Sequence, residues 1–184
     1  MECDFEAIKA KHLPNINNRL GRIPEKRRKD LLSIQQKNNE MAVFCDCSVL
    51  NKTRCAGIAV CFVGKRKVYL LSQKLERKNV GKNIFSELLA VKFALEALPN
   101  ILVEYKYWKP SKVVVYSDVE AIENFIYRGT GRKIYMRRAI EEIKQLMDAF
   151  TDLFIVEIRY LGDERCYNIY YNAAHKASRN VIGK

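Results

Sequence analysis

The chain has 184 residues, 33 of them Lys or Arg and 21 Asp or Glu, for a formal charge of +12, and 48% are hydrophobic. A fold of this length buries roughly 70% of the surface its unfolded chain exposes, so its core needs no disulfide or structural metal, and a disulfide mini-protein is excluded. No apolar stretch approaches the roughly 18 residues of a membrane span, and the opening MECDFEAIKAKH lacks the apolar run of a secretory signal; the expectation is a soluble, cytoplasmic protein with no membrane partner.

Residues 1–40 read as a basic, partly helical arm. Within it Pro24 opens EKRRKDLLSIQQKNNE, a short helix with a strongly charged face. At Met41 the character changes. AVFCDCSVL, CAGIAVCFV and KVYLLSQKL are rich in β-branched and aromatic residues and separated by NKTR and GKR, which predicts three consecutive antiparallel strands. IFSELLAVKFALEAL repeats apolar residues at helical spacing and predicts a helix over 82–98 that stops at Pro99. YKYWKP reads as a connection whose Tyr105, Tyr107 and Trp108 rings either stack on sugars or bases or, the preferred reading, cover the sheet edge with their polar tips in water. KVVVYS is a short apolar strand of the kind buried on both faces. A helix from Val119 to about Tyr127, the glycine-broken basic turn RGTGRK, a helix over about 134–150, a fifth strand in LFIVEIRYL and a last helix in YNIYYNAAHKASRNV complete the chain. This order describes an α/β domain over 41–184, with a mixed five-stranded sheet, three antiparallel strands then parallel ones, and helices on both faces.

The six cysteines (Cys3, Cys45, Cys47, Cys55, Cys61, Cys166) form no pair of CxxC hooks, and three lie inside apolar strand runs, the pattern of reduced core thiols. With only His12 and His175 present, a histidine-rich metal site is excluded. The charge is uneven: +3 over residues 1–40, +7 over 41–110 and +2 over 111–184. Such an excess favours polyanions, nucleic acid first, because neutralised phosphates release their counterions. GTGRK lacks the frame of a Walker loop, and a monomer without a small-molecule cofactor is expected.

Three carboxylates do not fit their surroundings. Asp46 lies in mid-strand, where it either faces solvent on an alternating strand or is buried with a partner. Glu87 falls on the same helical arc as Ile84, Val91, Ala94 and Leu98, so it points from the packed side or snorkels outward at its edge, while Lys92 and Glu96 form an i,i+4 pair on a different arc. Asp118 follows VVVYS at a strand end, where open α/β sheets place their ligand crevice, although Ser117-Asp118-Val119-Glu120 also reads as a capping box. Converging carboxylates repel unless cations lie between them, and all-oxygen ligation selects Mg²⁺ or Mn²⁺. Two such ions suit phosphodiester hydrolysis.

From Met41 to Lys184 the pattern resembles the ribonuclease H family, type 1, within the wider RNase H-like superfamily. FCDCS resembles the family's D-G-S strand motif with Cys47 in place of glycine; NIFSELLAVKFALEAL resembles its N-x-x-x-E-L-x-A helix; VVVYSDVEAI resembles its strand-end D-S motif with Val119 in place of serine. YNAAHKASR resembles N-x-x-A-D-x-L-A, with His175 where a fourth carboxylate is usual, and Gly162 is followed by Asp163 where many members have Gly-His. The resemblance implies a metal-dependent endonuclease that hydrolyses the RNA strand of RNA/DNA hybrids. Asp46, Glu87 and Asp118 would be metal ligands and catalytic residues, and His175 either a fourth ligand or a solvent-facing helix histidine. It further implies hybrid contacts at Ser48, Asn83 and Asn172. Hybrids are read through backbone shape, so a basic face matters more than base-reading side chains. RGTGRKIYMRR offers Arg128, Arg132, Lys133, Arg137 and Arg138, which would serve as such a face or as a solvated helix start. The alternative function is an RNase H-like nucleic-acid-binding module whose changes at Cys47, Asp163 and His175 have cost it turnover.

Overall fold

The computed structural model of the chain describes residues 11–12, 23–50, 55–76, 83–106, 108–131 and 133–184. Its elements are β1 (Lys11–His12), α1 (Glu25–Gln36), β2 (Glu40–Leu50), β3 (Cys55–Gly64), β4 (Lys67–Glu76), α2 (Asn83–Glu104), β5 (Lys112–Ser117), α3 (Ile122–Arg128), α4 (Ile134–Asp148), β6 (Ile155–Tyr160) and α5 (Ile169–Asn180), with a 3₁₀ turn at Gly162–Cys166. The strands lie side by side as β1-β4-β3-β2-β5-β6. The β2-β3-β4 meander is antiparallel, β5 runs parallel to β2, and β6 parallel to β5, as the sequence pattern indicates. The extra edge strand β1 pairs Lys11 with Leu70; two residues carry no periodicity by which a sequence could announce them. None of the described helices is long and apolar enough to cross a membrane.

Alternation along β2 divides the interior. Met41, Val43 and Cys45 face a core shared with α2 and α4, including Leu88, Leu95, Ile140 and Ile143. Ala42 and Phe44 face a second core built by α1 and α5, where Leu31, Tyr170 and Ala174 are buried. Phe44 stacks on Tyr116 at 5.2 Å and on Tyr170 at 5.8 Å. The cysteines follow the same logic: Cys45, Cys55 and Cys61 are buried, and Cys166 is exposed.

Two boundaries and one set of side chains differ from the sequence expectation. α2 does not stop at Pro99 but runs to Glu104, because Leu98, Ile101 and Tyr105, each about 1% exposed, carry the apolar stripe past the proline. The rings of the following connection are core pieces and not wet edges: the Tyr105 hydroxyl lies 3.0 Å from the Lys67 carbonyl, and Trp108 Nε1 donates to the Asn38 carbonyl at 2.6 Å. α3 begins at Ile122, three residues later than expected. Tyr107 lies outside the described residues.

The β6 edge is closed from α3. Ile158 N–H donates to the Tyr127 hydroxyl at 2.9 Å and Tyr160 N–H to Glu123 Oε1 at 3.0 Å, so side chains occupy the row of donors that an edge strand offers to strangers.

On β3, α5 lies so close that a side chain at Gly57 would put its Cβ 1.9 Å from the Ser178 carbonyl oxygen and 2.6 Å from Val181 Cγ1. Gly57→Ala is expected to push α5 off the sheet and destabilise the protein by about 1–3 kcal/mol, read by denaturant unfolding; an unchanged midpoint would show that α5 is not seated this tightly.

Candidate active site

Register places two of the three carboxylates. β2 and β5 are parallel with Phe44 opposite Tyr116, so two residues further on Asp46 stands level with Asp118. Asp118 is half-buried at the end of β5 and is not spent on a helix cap. Val119 N–H does donate to Ser117 Oγ at 3.3 Å, but α3 starts only at Ile122, behind Ala121. The third carboxylate comes from the opposite side of the sheet, where α2 packs on β2. There Glu87 is buried beside Cys47, whose backbone hydrogen-bonds its carboxyl.

Asp46 is 2% exposed, so it does not face solvent from an alternating strand. A buried carboxylate needs donors, and α5 supplies them from one face. Tyr171 donates its hydroxyl to Asp46 Oδ1 at 2.9 Å, His175 Nδ1 lies 3.1 Å from the same oxygen, and Ser178 donates its hydroxyl to Oδ2. The His175 contact is a hydrogen bond in the tautomer that carries its proton on Nδ1, since an ionised carboxylate only accepts. Tyr171 is also 2.8 Å from Asp118 Oδ2, so a single hydroxyl joins the two aspartates. Burial, then the Asp46 and Asp118 charges, push the Tyr171 hydroxyl well above its ordinary range, which keeps it a neutral donor.

Glu87 is treated differently. Its Oε2 is buried without a hydrogen-bond partner. Burial first, then Asp118 and Asp46, raise its carboxyl well above the ordinary range, and the Cys47 backbone offsets this in part. Burial and the Glu87 charge likewise push the Cys47 thiol up, so it is no nucleophile.

Glu87 and Asp118 line a groove of about 500 Å³ together with Cys47, Ser48, Val49, Ile84, Val119 and Lys184. Lys184 Nζ donates to the Val49 carbonyl at 2.7 Å and lies 3.5 Å from Ser48 Oγ. Ile84, expected on the packed arc, is 42% exposed and forms part of the wall. Its neighbour Phe85 meets Tyr135 edge-on at 4.9 Å, which sets the start of α4 beside this end of α2. Lys133, Arg137 and Arg138 are exposed at the start of α4, with Arg138 paired to Glu142 at 3.1 Å, and Arg128 is exposed at the end of α3. Lys92 pairs with Glu96 as expected and also with Glu142 at 2.9 Å, tying α2 to α4.

Of the residues singled out by sequence, the fold thus gathers Asp46, Glu87, Asp118, Ser48 and His175 around one sheet end. Asn172 is half-buried one residue beyond Tyr171. The helix cap is Asn168, whose Oδ1 accepts from the Tyr170 and Tyr171 amides. Arg132 and the side chain of Asn83 lie outside the described residues. Sequence reasoning missed Tyr171, Ser178 and Lys184. The spacing of Tyr171, His175 and Ser178 on one helical face was the available signal for the first two.

Among the described residues no three His, Cys, Asp or Glu side chains are disposed to hold one metal ion. The Tyr171 hydroxyl stands between two of the candidates. The donor set itself fits a small divalent cation. Glu87 Oε2 has no other partner, its neighbours are carboxylates, and hard oxygen ligands are what Mg²⁺ and Mn²⁺ take.

The sequence matches no protein-family model and no curated protein. Solved structures do match. RNase H1 from the halophilic archaeon Halobacterium salinarum NRC-1 superposes with a TM-score of 0.60 at 14% identity, over 78% of this chain and 97% of that one. LC11-RNase H1, isolated from compost by a metagenomic approach, gives 0.58 at 15% identity over 79% and 99%. The same LC11 enzyme in complex with RNA/DNA hybrid gives 0.58 at 14% over 78% and 99%. The chain has the RNase H-like fold of type 1.

Proposed function

We propose that residues 41–184 are a divalent-cation-dependent endonuclease of ribonuclease H type, acting on the RNA strand of RNA/DNA hybrids, with residues 1–40 as a basic extension. The observation that carries this reading is the orphaned, buried carboxylate oxygen of Glu87 in a groove shared with Asp118, at the strand ends of an RNase H-like sheet. Asp46, Glu87 and Asp118 would hold Mg²⁺ or Mn²⁺, two ions in all, with His175 at the fourth position. Bound there, the cations would neutralise the scissile phosphate and acidify water. The chain's own part is to fix the carboxylates on rigid elements, to place Lys133, Arg137 and Arg138 along the hybrid backbone, and to offer the exposed side of His175 as a proton carrier. Hydrolysis forms a bond from water oxygen to phosphorus and breaks the bond from phosphorus to the 3′-oxygen, which leaves with a proton; the products are a 3′-hydroxyl and a 5′-phosphate. A second reading, hybrid binding without turnover, is favoured by one observation: Asp46 is already satisfied by Tyr171, His175 and Ser178.

A labelled RNA/DNA hybrid incubated with Mg²⁺ and separately with Mn²⁺ should be cut in the RNA strand. Asp118→Asn should slow cutting by about a hundredfold or more, since such electrostatic stabilisation is worth several kcal/mol, in a protein that still folds. Equal cutting by the variant would sink the assignment, and salt-sensitive binding without cutting would establish the module.

Glu87 gives a test by pH. Its folded carboxyl is raised above the unfolded value of about 4.3, so the native state binds more protons than the unfolded one and loses stability as pH rises from that value toward the raised one. With chelator present, Glu87→Gln should unfold at a higher temperature than wild type near neutral pH and show a flatter pH dependence, while added Mn²⁺ should stabilise only the wild type. A less stable variant in chelator would show that the carboxylate is not strained by burial.

At the start of α4, Lys133→Ala with Arg137→Ala should weaken hybrid binding and make the log-log salt dependence shallower by about 2. An unchanged slope would remove these residues from the interface.

A further inference from the structure

Tyr171 has no part in the proposed reaction, yet it occupies the centre of the site. It is 6% exposed in the first turn of α5, its hydroxyl lies 2.9 Å from Asp46 Oδ1 and 2.8 Å from Asp118 Oδ2, and its ring stacks on His175 at 6.1 Å. A hydroxyl owns one hydrogen, which it must share between the two carboxylates, so each of the two bonds is weaker than an undivided one. A cation between the same two oxygens would attract both. The hydroxyl therefore stands in, incompletely, for positive charge, and it holds Asp46 and Asp118 together where like charges would otherwise separate them.

We propose that Tyr171 is a built-in competitor for the cation site: its hydroxyl cross-links Asp46 to Asp118 in the ion-free protein, and a divalent ion engages both aspartates only by displacing it. The inference rests on the proposed cation-binding role of these carboxylates. It gives the site two occupants, an internal one that holds the two aspartates together in the ion-free protein and an external one that arms it. The chain should then need a higher ion concentration than its carboxylates alone would require. Glu87 does not touch Tyr171 by any hydrogen bond described above, and its orphaned oxygen offers the first foothold for the incoming ion.

The test is a calorimetric Mn²⁺ titration of the wild-type chain and of Tyr171→Phe, which keeps the ring and removes the hydroxyl. The variant should bind Mn²⁺ about tenfold more tightly or better, the worth of a hydrogen bond to a charged group. In parallel, Mn²⁺ should give the wild type a tyrosine difference signal in the near ultraviolet that the variant lacks. Uptake by both proteins with equal affinity overturns the competitor role and leaves the cation site standing. Weaker uptake by the variant also overturns it, and makes the hydroxyl a helper of the ion. No uptake by either protein overturns the cation reading and the competitor with it. Were the variant not to fold, the wild-type signal decides: a saturating Mn²⁺ titration without a tyrosine change overturns the proposal.

Discussion

A carboxylate cannot enter the middle of an apolar sheet without donors or a counter-charge to meet it. Asp46, buried in the central strand, imposes that demand on everything around it. α5 meets the demand with three side chains at positions 171, 175 and 178, one helical face. Ser178 reaches Asp46 only because the helix lies against β3, and the helix lies there because Gly57 leaves the room that a side chain would take from the Ser178 carbonyl. Asn168 fixes where the helix begins by capping the Tyr170 and Tyr171 amides, which sets the phase in which Tyr171 arrives at the aspartates. One buried carboxyl thus accounts for the polar side chains on the inward face of a whole helix, whose seat and start Gly57 and Asn168 fix.

The same sheet end leaves its other carboxylate unmet. Glu87 approaches from the α2 side, with a backbone hydrogen bond from Cys47 as its described support and Asp118 as its strongest electrostatic neighbour. Asp118 stands between the two regimes, bonded to Tyr171 on one side and open to the groove on the other. The result is a divided site: one half neutralised from within, the other holding a group whose charge the fold does not balance. Structural burial alone does not explain that asymmetry, since a glutamine at 87 would satisfy packing at less electrostatic cost.

Much of this was legible in the sequence. The strand runs and their turns fixed the meander, and the three carboxylates were marked by mismatch: Asp46 inside an apolar strand, Glu87 on an apolar helical arc, Asp118 at a strand end. What sequence could not distinguish was how each mismatch would be resolved. Ser117 and Glu120 made a capping box as plausible as a ligand at Asp118, and only the late start of α3 separates the two. Tyr171 and Ser178 were hidden because a helix turns its core residues and its inward polar groups along the same arc; Tyr171 reads as one more aromatic until Asp46 is known to lie opposite. Pro99 misled for a related reason. Local propensity said stop, and the burial of Ile101 and Tyr105 outweighed it. The pairing of β1 with β4 depends on tertiary contact alone.

The charge of the molecule bears on which activity this site can have. A net +12 draws polyanions toward the surface, and Lys133, Arg137 and Arg138 stand exposed at the start of α4. The groove itself presents Glu87 and Asp118, which repel the very phosphate that the basic side chains attract. Lys184 places one ammonium in the wall, committed to the Val49 carbonyl. A backbone docking at the groove would therefore meet an acidic centre, and a module that only bound nucleic acid would gain by losing those carboxylates. In the proposed function cations would intervene between carboxylate and phosphate and turn that repulsion into a bridge. Under the proposed function the acidic groove and its basic surround would form one device, with the basic side chains supplying affinity and the carboxylates holding the cations.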